Sequence, residues 1–194
     1  MLRFVFVVSF LVFNVTSAFA ADLLTYQADG WKYKQVASSD PLIATFYTTS
    51  FDDGSWPVSR AAFGNFGELN VLPTFCSAAN TLYTQWDVST DLLLRRYFPA
   101  GTSDPVRLFL SIDNDATVYV NGVQVLHVEH GGCPLPDDFV VGLNSILSPT
   151  GVNLLAIYAH DRGGFSFVDA RITGDFPPLA VEETTWGSVK TMYR

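Results

Sequence analysis

Three kinds of side chain in this 194-residue chain could do chemistry: paired carboxylates, histidines, and aromatics next to charged loops. Carboxylates stand close together at Asp52/Asp53, Asp113/Asp115 and Asp137/Asp138. Cleaving a glycosidic bond needs two facing acids. All three pairs, however, sit in turn-like stretches, where Asp is favoured because its side chain caps nearby backbone. His127, His130 and His160 are scattered. They show no His-Glu-x-x-His spacing for zinc, and the chain has no Gly-x-Ser-x-Gly nucleophile elbow. The residue types point to a non-catalytic protein. They suit carbohydrate recognition better, which uses an aromatic ring against the apolar sugar face and planar polar groups for the hydroxyls. The ligand-binding candidates are Trp56, Trp31, His130, Asp161 and Arg162. Each has a plainer role open to it. Trp56 can anchor its own loop, 161–164 can be a turn with a local ion pair, and His130 can be an ordinary loop residue.

Such residues need a rigid scaffold, because binding side chains usually ride on loops held by a stiff body. The organising stretch is 108–122. Leu108, Leu110 and Ile112 alternate with Phe109, Ser111 and Asp113, and the apolar run resumes at 117–120. Period-2 alternation with β-branched and aromatic residues is the strand signal. The stretch reads as two strands with a polar turn at Asp113-Asn114-Asp115, followed by Asn121-Gly122, the strongest short hairpin cue. Further strands are expected at 31–36, 42–47, 81–88, 92–98, 123–129, 152–160 and 165–172, and a loop at 51–66. Many short strands separated by turns every eight to twelve residues, with almost no helical period, predict an all-β antiparallel sandwich of jelly-roll type.

The organisation expected is a signal peptide over 1–20, one β-sandwich domain over 21–176, and a linker with a short C-terminal helix over 177–194. Arg3, the apolar run 4–13 and Ala18-Phe19-Ala20 have the order of a secretory leader and cleavage site. An uncleaved N-terminal anchor is the alternative. In the tail, Trp186, Val189 and Tyr193 fall on one helical face. That face could fold back on the sandwich or dock a protein partner. The formal net charge of −8 argues against nucleic acid, where affinity comes from Lys and Arg neutralising phosphates. It also argues against an anionic membrane surface. The two cysteines, Cys76 and Cys133, fit a disulfide in an oxidising compartment. Closing a loop of about 57 residues would contribute on the order of 4 kcal/mol in the loop-entropy picture.

The stretch 108–172 resembles the galactose-binding-domain-like jelly roll. It is most similar to the N-terminal sugar-binding domain of family 2 glycoside hydrolases. The residues that carry the likeness are Tyr119-Val120-Asn121-Gly122, Phe139, Leu147 and Gly151-Val152-Asn153-Leu154-Leu155-Ala156-Ile157. Phe51-Asp52-Asp53-Gly54-Ser55-Trp56-Pro57 also resembles the Phe-Asp-Asp-x-x-Trp loop of such proteins. The resemblance implies the sandwich, and with no barrel domain following in this sequence it implies no hydrolase site of that family. It also implies a structural calcium, for which Asp52, Asp53, Asp161 and Asp169 are the oxygen ligands on offer; no other cofactor is expected. The expectation is a secreted, extracellular or periplasmic carbohydrate-binding or adhesion module with a glycan partner. The alternative is a structural component of an envelope, appendage or virion, attached through its tail.

Overall fold

The computed structural model describes residues 20–65, 81–99 and 105–175. The leader, Cys76 and the C-terminal tail with its expected helix lie outside the described residues. What is described is a β-sandwich of eleven strands. In chain order they are β1 (Ala20–Leu24), β2 (Trp31–Val36), β3 (Val58–Ser59), β4 (Phe63–Gly64), β5 (Thr84–Gln85), β6 (Asp91–Pro99), β7 (Arg107–Val120), β8 (Val123–His130), β9 (Phe139–Gly142), β10 (Val152–His160) and β11 (Phe167–Asp175).

β7 belongs to both layers. Its first half pairs with β11, from Arg107 opposite Thr173 to Asp113 opposite Phe167, and with β9 on its other side. Its second half pairs with β10, from Asp115 opposite His160 to Val120 opposite Leu155, and with β8. The first sheet is completed by β1, β4 and β5 beyond β11; the second runs β3-β2-β6-β10-β7-β8. The expected turn at Asp113-Asn114-Asp115 is therefore not a turn. The strand continues through it and changes partners there. A strand that passes from one sheet to the other makes a corner of the sandwich. The polar residues at that corner are held by hydrogen bonds: Asn114 and Asp115 bond Arg162, and Asp115 also accepts the His130 N–H.

The real hairpin lies one step on. Asn121 (φ 52°) and Gly122 (φ 86°) form the two-residue β7–β8 turn. Positive φ at both positions is what that tight connection needs, and Asn and Gly supply it at least cost. The Asn121 side chain adds three ties. Its amide donates to Ile146 O (3.2 Å) and Asn153 Oδ1 (2.7 Å), and its Oδ1 accepts from Leu154 N–H (2.9 Å).

Alternation sorts the side chains of the second sheet and of β7 into two apolar clusters, and a third, small one holds Ala62, Leu82 and Phe167. Leu92, Leu94, Leu108, Leu110, Ile112, Val118, Leu155 and Ile157 point into the space between the layers. Leu93 and Ala156, one residue out of phase, meet Phe46, Trp56 and Val36 on the opposite face of the second sheet. That outer cluster is roofed by the segment 37–57. Tyr47 from the roof stacks on Tyr119 of β7 with ring centroids 4.1 Å apart and 9° between planes. The roof contains a second departure from expectation: 42–47 is not a strand. Pro41–Ala44 is a 3-10 helix capped by Asp40, which accepts the Leu42 N–H at 2.9 Å. Pro at the first helical position has no N–H to leave unpaired.

The roof is pinned by a buried ion pair. Arg95 projects outward from β6, is wholly buried, and donates from Nε to Asp53 Oδ2 at 2.7 Å. Its Nη1 donates to the carbonyls of Phe46 and Thr48. Lys32 Nζ reaches Asp53 Oδ1 at 2.6 Å. Burial pushes the Asp53 carboxyl up, and the hydrogen bonds and charges of Lys32 and Arg95 outweigh this and hold it below the usual carboxylate range.

Candidate ligand site at the strand crossover

The corner of β7 gathers several of the residues picked from the sequence. The loop 161–166 between β10 and β11 lies against it. Arg162 N–H donates to Asn114 Oδ1 (2.9 Å), and Arg162 Nε donates to Asp115 Oδ2 (2.9 Å) while Nη2 bonds the other oxygen. Asp115 Oδ1 also accepts the N–H of His130, the last residue of β8 (3.2 Å). The His130 ring sits edge-on to Phe139, centroids 5.5 Å apart, with Nε2 3.4 Å from the Cys133 carbonyl. His130, Asp161 and Arg162 thus share one neighbourhood although Arg162 and Asn114 are 48 positions apart in sequence.

Asp161 is 2% exposed. Its Oδ2 accepts from Ser89 N–H (2.5 Å) and Gly163 N–H (3.1 Å), which stitches its own loop to the turn before β6. Its Oδ1 is buried without a hydrogen-bond partner. Asp113 lies nearby, also buried. Burial, and then the Asp161 charge, push the Asp113 carboxyl up to about 6 against the pull of His130 and Arg162. Asp115 goes the other way. Burial raises it, but the Arg162 guanidinium and the His130 amide hold it below the usual range.

A cavity of about 410 Å³ opens beside this corner, lined by Gln35, Val36, Ala37, Asp87, Ser89 and Thr90. Ser89 and Thr90 connect it to the loop: Ser89 through its bond to Asp161, and Thr90 through its carbonyl, which accepts Asp161 N–H (3.4 Å). Behind the cavity, Asp91 is fully buried and receives Ser38 Oγ (3.2 Å), Tyr158 Oη (2.7 Å) and His160 Nδ1 (2.6 Å). Burial and the bond to Asp91 push the Tyr158 phenol up.

Two of the sequence candidates fail as sugar platforms. Trp31 is 1% exposed and Trp56 is 8% exposed. Trp31 is packed between the layers, and Trp56 sits under the roof with its ring edge-on to Phe51 at 5.4 Å. Neither can offer a sugar a face. The ring that lies on the surface at this corner is Phe165, 40% exposed and in the same loop as Arg162. The strand expected at 165–172 begins only at Phe167, which leaves Phe165 in the loop.

The four carboxylates considered for calcium do not converge. Asp52 caps Gly54 N–H (2.9 Å). Asp53 is held by Lys32 and Arg95, and Asp161 by Ser89 and Gly163. Asp169 accepts Gln27 N–H (3.1 Å) and Ala170 N–H (2.9 Å). Each is committed to local backbone or an ion pair. Among the described residues, no three His, Cys, Asp or Glu side chains are grouped to hold a metal. The expected Cys76–Cys133 pair has one member outside the described residues; Cys133 packs against Ala62, Leu82 and Phe167.

No family model matches the chain, and no curated protein matches it. Solved structures do. The β-glucuronidase from Ruminococcus gnavus in complex with an N1-substituted uronic isofagomine is similar at a TM-score of 0.54 and 12% identity, over 84% of this chain and 31% of that one. Its complex with D-glucaro-d-lactam gives the same values. Another crystal structure of that enzyme gives a TM-score of 0.52 at 12% identity, over 84% and 30%. The fold is therefore one found within a β-glucuronidase, and this chain spans about a third of that protein's length.

Proposed function

We propose that the protein is a secreted, non-catalytic carbohydrate-binding module of the galactose-binding-like type, taking glycan at the β7 corner. One observation carries the reading. A single loop carries both an aromatic residue that is partly on the surface, Phe165 at 40% exposed, and, three positions before it, Arg162, whose planar fork is fixed by Asp115. Ring plus oriented planar polar group is the pairing that sugar recognition uses. The fold shared with part of a glycosidase supports the same ligand class. The non-catalytic half of the proposal rests on Asp113 and Asp161. Both are buried, and neither carboxyl is exposed enough to reach a glycosidic oxygen.

A glycan array with the full secreted chain tests this. Binding to a defined sugar class is expected, lost in Phe165→Ala and Arg162→Ala and kept when 181–194 is deleted. No binding at millimolar sugar, or binding untouched by both substitutions, overturns it.

A further inference from the structure

Two buried donors without acceptors stand on neighbouring strands inside the sandwich. Trp31 is 1% exposed, and its indole Nε1–H has no hydrogen-bond partner. Arg96 of β6 is partly buried, and its Nε–H is buried and equally unpartnered. Buried polar groups are nearly always bonded, so each such donor calls for a specific account. Comparable groups elsewhere in the fold are satisfied. The buried Trp86 indole N–H donates to Thr90 O at 3.2 Å, and Arg95, Arg162 and Arg171 are each bonded to a carboxylate. Among the described residues no carboxylate pairs with Arg96, although the chain carries 19 Asp and Glu. The register brings the two donors together. β2 and β6 run antiparallel with Lys32 opposite Arg95, so one further step sets Trp31 opposite Arg96. Alternation turns both toward the space between the layers, where Trp31, Leu94 and Phe98 are packed. Side chains opposed in this way have Cβ atoms about 4.5–5.5 Å apart. The preceding residue shows how close the guanidinium comes. A Cβ built on Gly30 would stand 2.9 Å from Arg96 Nη1 and 3.1 Å from its Cζ. The guanidinium therefore lies against the backbone next to Trp31, in space that any side chain at position 30 would take.

We propose that Arg96 and Trp31 form a binding site for a small carboxylate. Both groups are donors only, and a guanidinium does not shed its charge. What completes them is an acceptor that also carries negative charge. The planar guanidinium fork matches the two oxygens of a carboxylate, which keeps further lone pairs for the indole N–H. Arg96 is the solvent-side member, because it is only partly buried, and Trp31 is the inner one. The site faces Leu155 of β10, whereas Asp91 and His160 pair at the other end of the same two strands. It is thus separate from the β7 corner and does not rest on the glycan reading.

Nitrogen-15 NMR of the full chain reads both donors directly, at the Trp31 indole N–H and the Arg96 Nε–H. Titration with sodium acetate is expected to shift both signals saturably in the millimolar range. Sodium chloride at equal ionic strength should move neither, and nor should acetamide, which has the shape of acetate without its charge. In Arg96→Met the Trp31 shift should need at least about tenfold more acetate, the loss of a charge-assisted bond. Shifts that never saturate, that appear equally with chloride or acetamide, or that persist unchanged in Arg96→Met overturn the proposal. Should Arg96→Met fail to fold, the parent's comparison of acetate with chloride and acetamide decides alone. Saturation by sodium sulfate where acetate gives none overturns the assignment to a carboxylate. No step requires a glycan. A silent glycan array sinks the binding reading and leaves this site, whereas a flat acetate titration sinks this site and leaves the binding reading.

Discussion

Replacing Asp53 by Asn should be among the most damaging single changes in the described part of the chain. The substitution keeps the shape of the side chain and removes its charge. Arg95 is 1% exposed, so its guanidinium would be left in the interior with neutral partners alone: the new amide oxygen, the Phe46 and Thr48 carbonyls and the Tyr97 hydroxyl. Breaking a buried pair by removing one member costs about 3–5 kcal/mol. At about 2–4 °C of melting temperature per kcal/mol for a domain of this size, that is roughly 6–20 °C. Lys32 makes the useful contrast, because it bonds the same carboxylate from a partly exposed position, 31% by side chain. Lys32→Met should cost about 0–1 kcal/mol. Removing both buried charges, in Asp53→Asn with Arg95→Met, should recover much of the loss, since an apolar replacement of a buried pair is often neutral. Thermal unfolding by circular dichroism at neutral pH gives all four melting temperatures. An Asp53→Asn protein melting within about 2 °C of the parent would refute the view that this ion pair fastens 37–57 onto the sheet.

Four further outcomes are expected. A Cβ added at Gly64 would stand 2.5 Å from the Ser166 carbonyl oxygen and 2.7 Å from Leu82 Cδ2; Gly64→Ala should therefore lower the unfolding free energy by about 1–3 kcal/mol of overpacking, read as a lower urea midpoint, and an unchanged midpoint contradicts this tight approach. Asn121→Ala loses three hydrogen bonds and the easy positive φ, a loss on the order of 2–4 kcal/mol; Asn121→Gly should recover the backbone part but not the rest, and equal midpoints for the two variants would say the side-chain bonds contribute nothing. Asp53 and Asp115 are held low, so the stability they add is full above the ordinary carboxylate range and lost as pH falls through their folded values. Asp113 is raised to about 6, so it binds its proton more tightly when folded and its contribution is lost as pH rises from about 4 to about 6; the stability of Asp113→Asn relative to the parent should climb over that window and then stay level, and a flat difference counts against it. Finally, thiol alkylation of the unreduced, denatured chain should add no mass if Cys76 and Cys133 are paired, and addition of two labels would show that they are not.

The general plan of the molecule was legible in the residues. The apolar runs in 92–98 and 152–160 became β6 and β10, adjacent and in register over nine residues, and their side chains are buried on both faces, one against the other layer and one under 37–57. Asn121-Gly122 became the tight turn it resembles, since few residue pairs accept two positive φ values. These features are local, and local sequence decides them. Other decisions depended on what lies overhead or across the sheet. Asp113-Asn114-Asp115 has the composition of a turn, yet it is the middle of a fourteen-residue strand, because the strand passes there from one layer to the other. Trp31 and Trp56 have the chemistry of sugar platforms, but packing between the layers and the roof over the second sheet bury them. Asp161 reads alone as a turn residue. Only the closure of its loop on the turn before β6 leaves its Oδ1 buried and unbonded. The strand pattern decides that a sandwich forms; which polar groups end up facing one another at its corner depends on non-local pairing, and no nearest-neighbour preference encodes that.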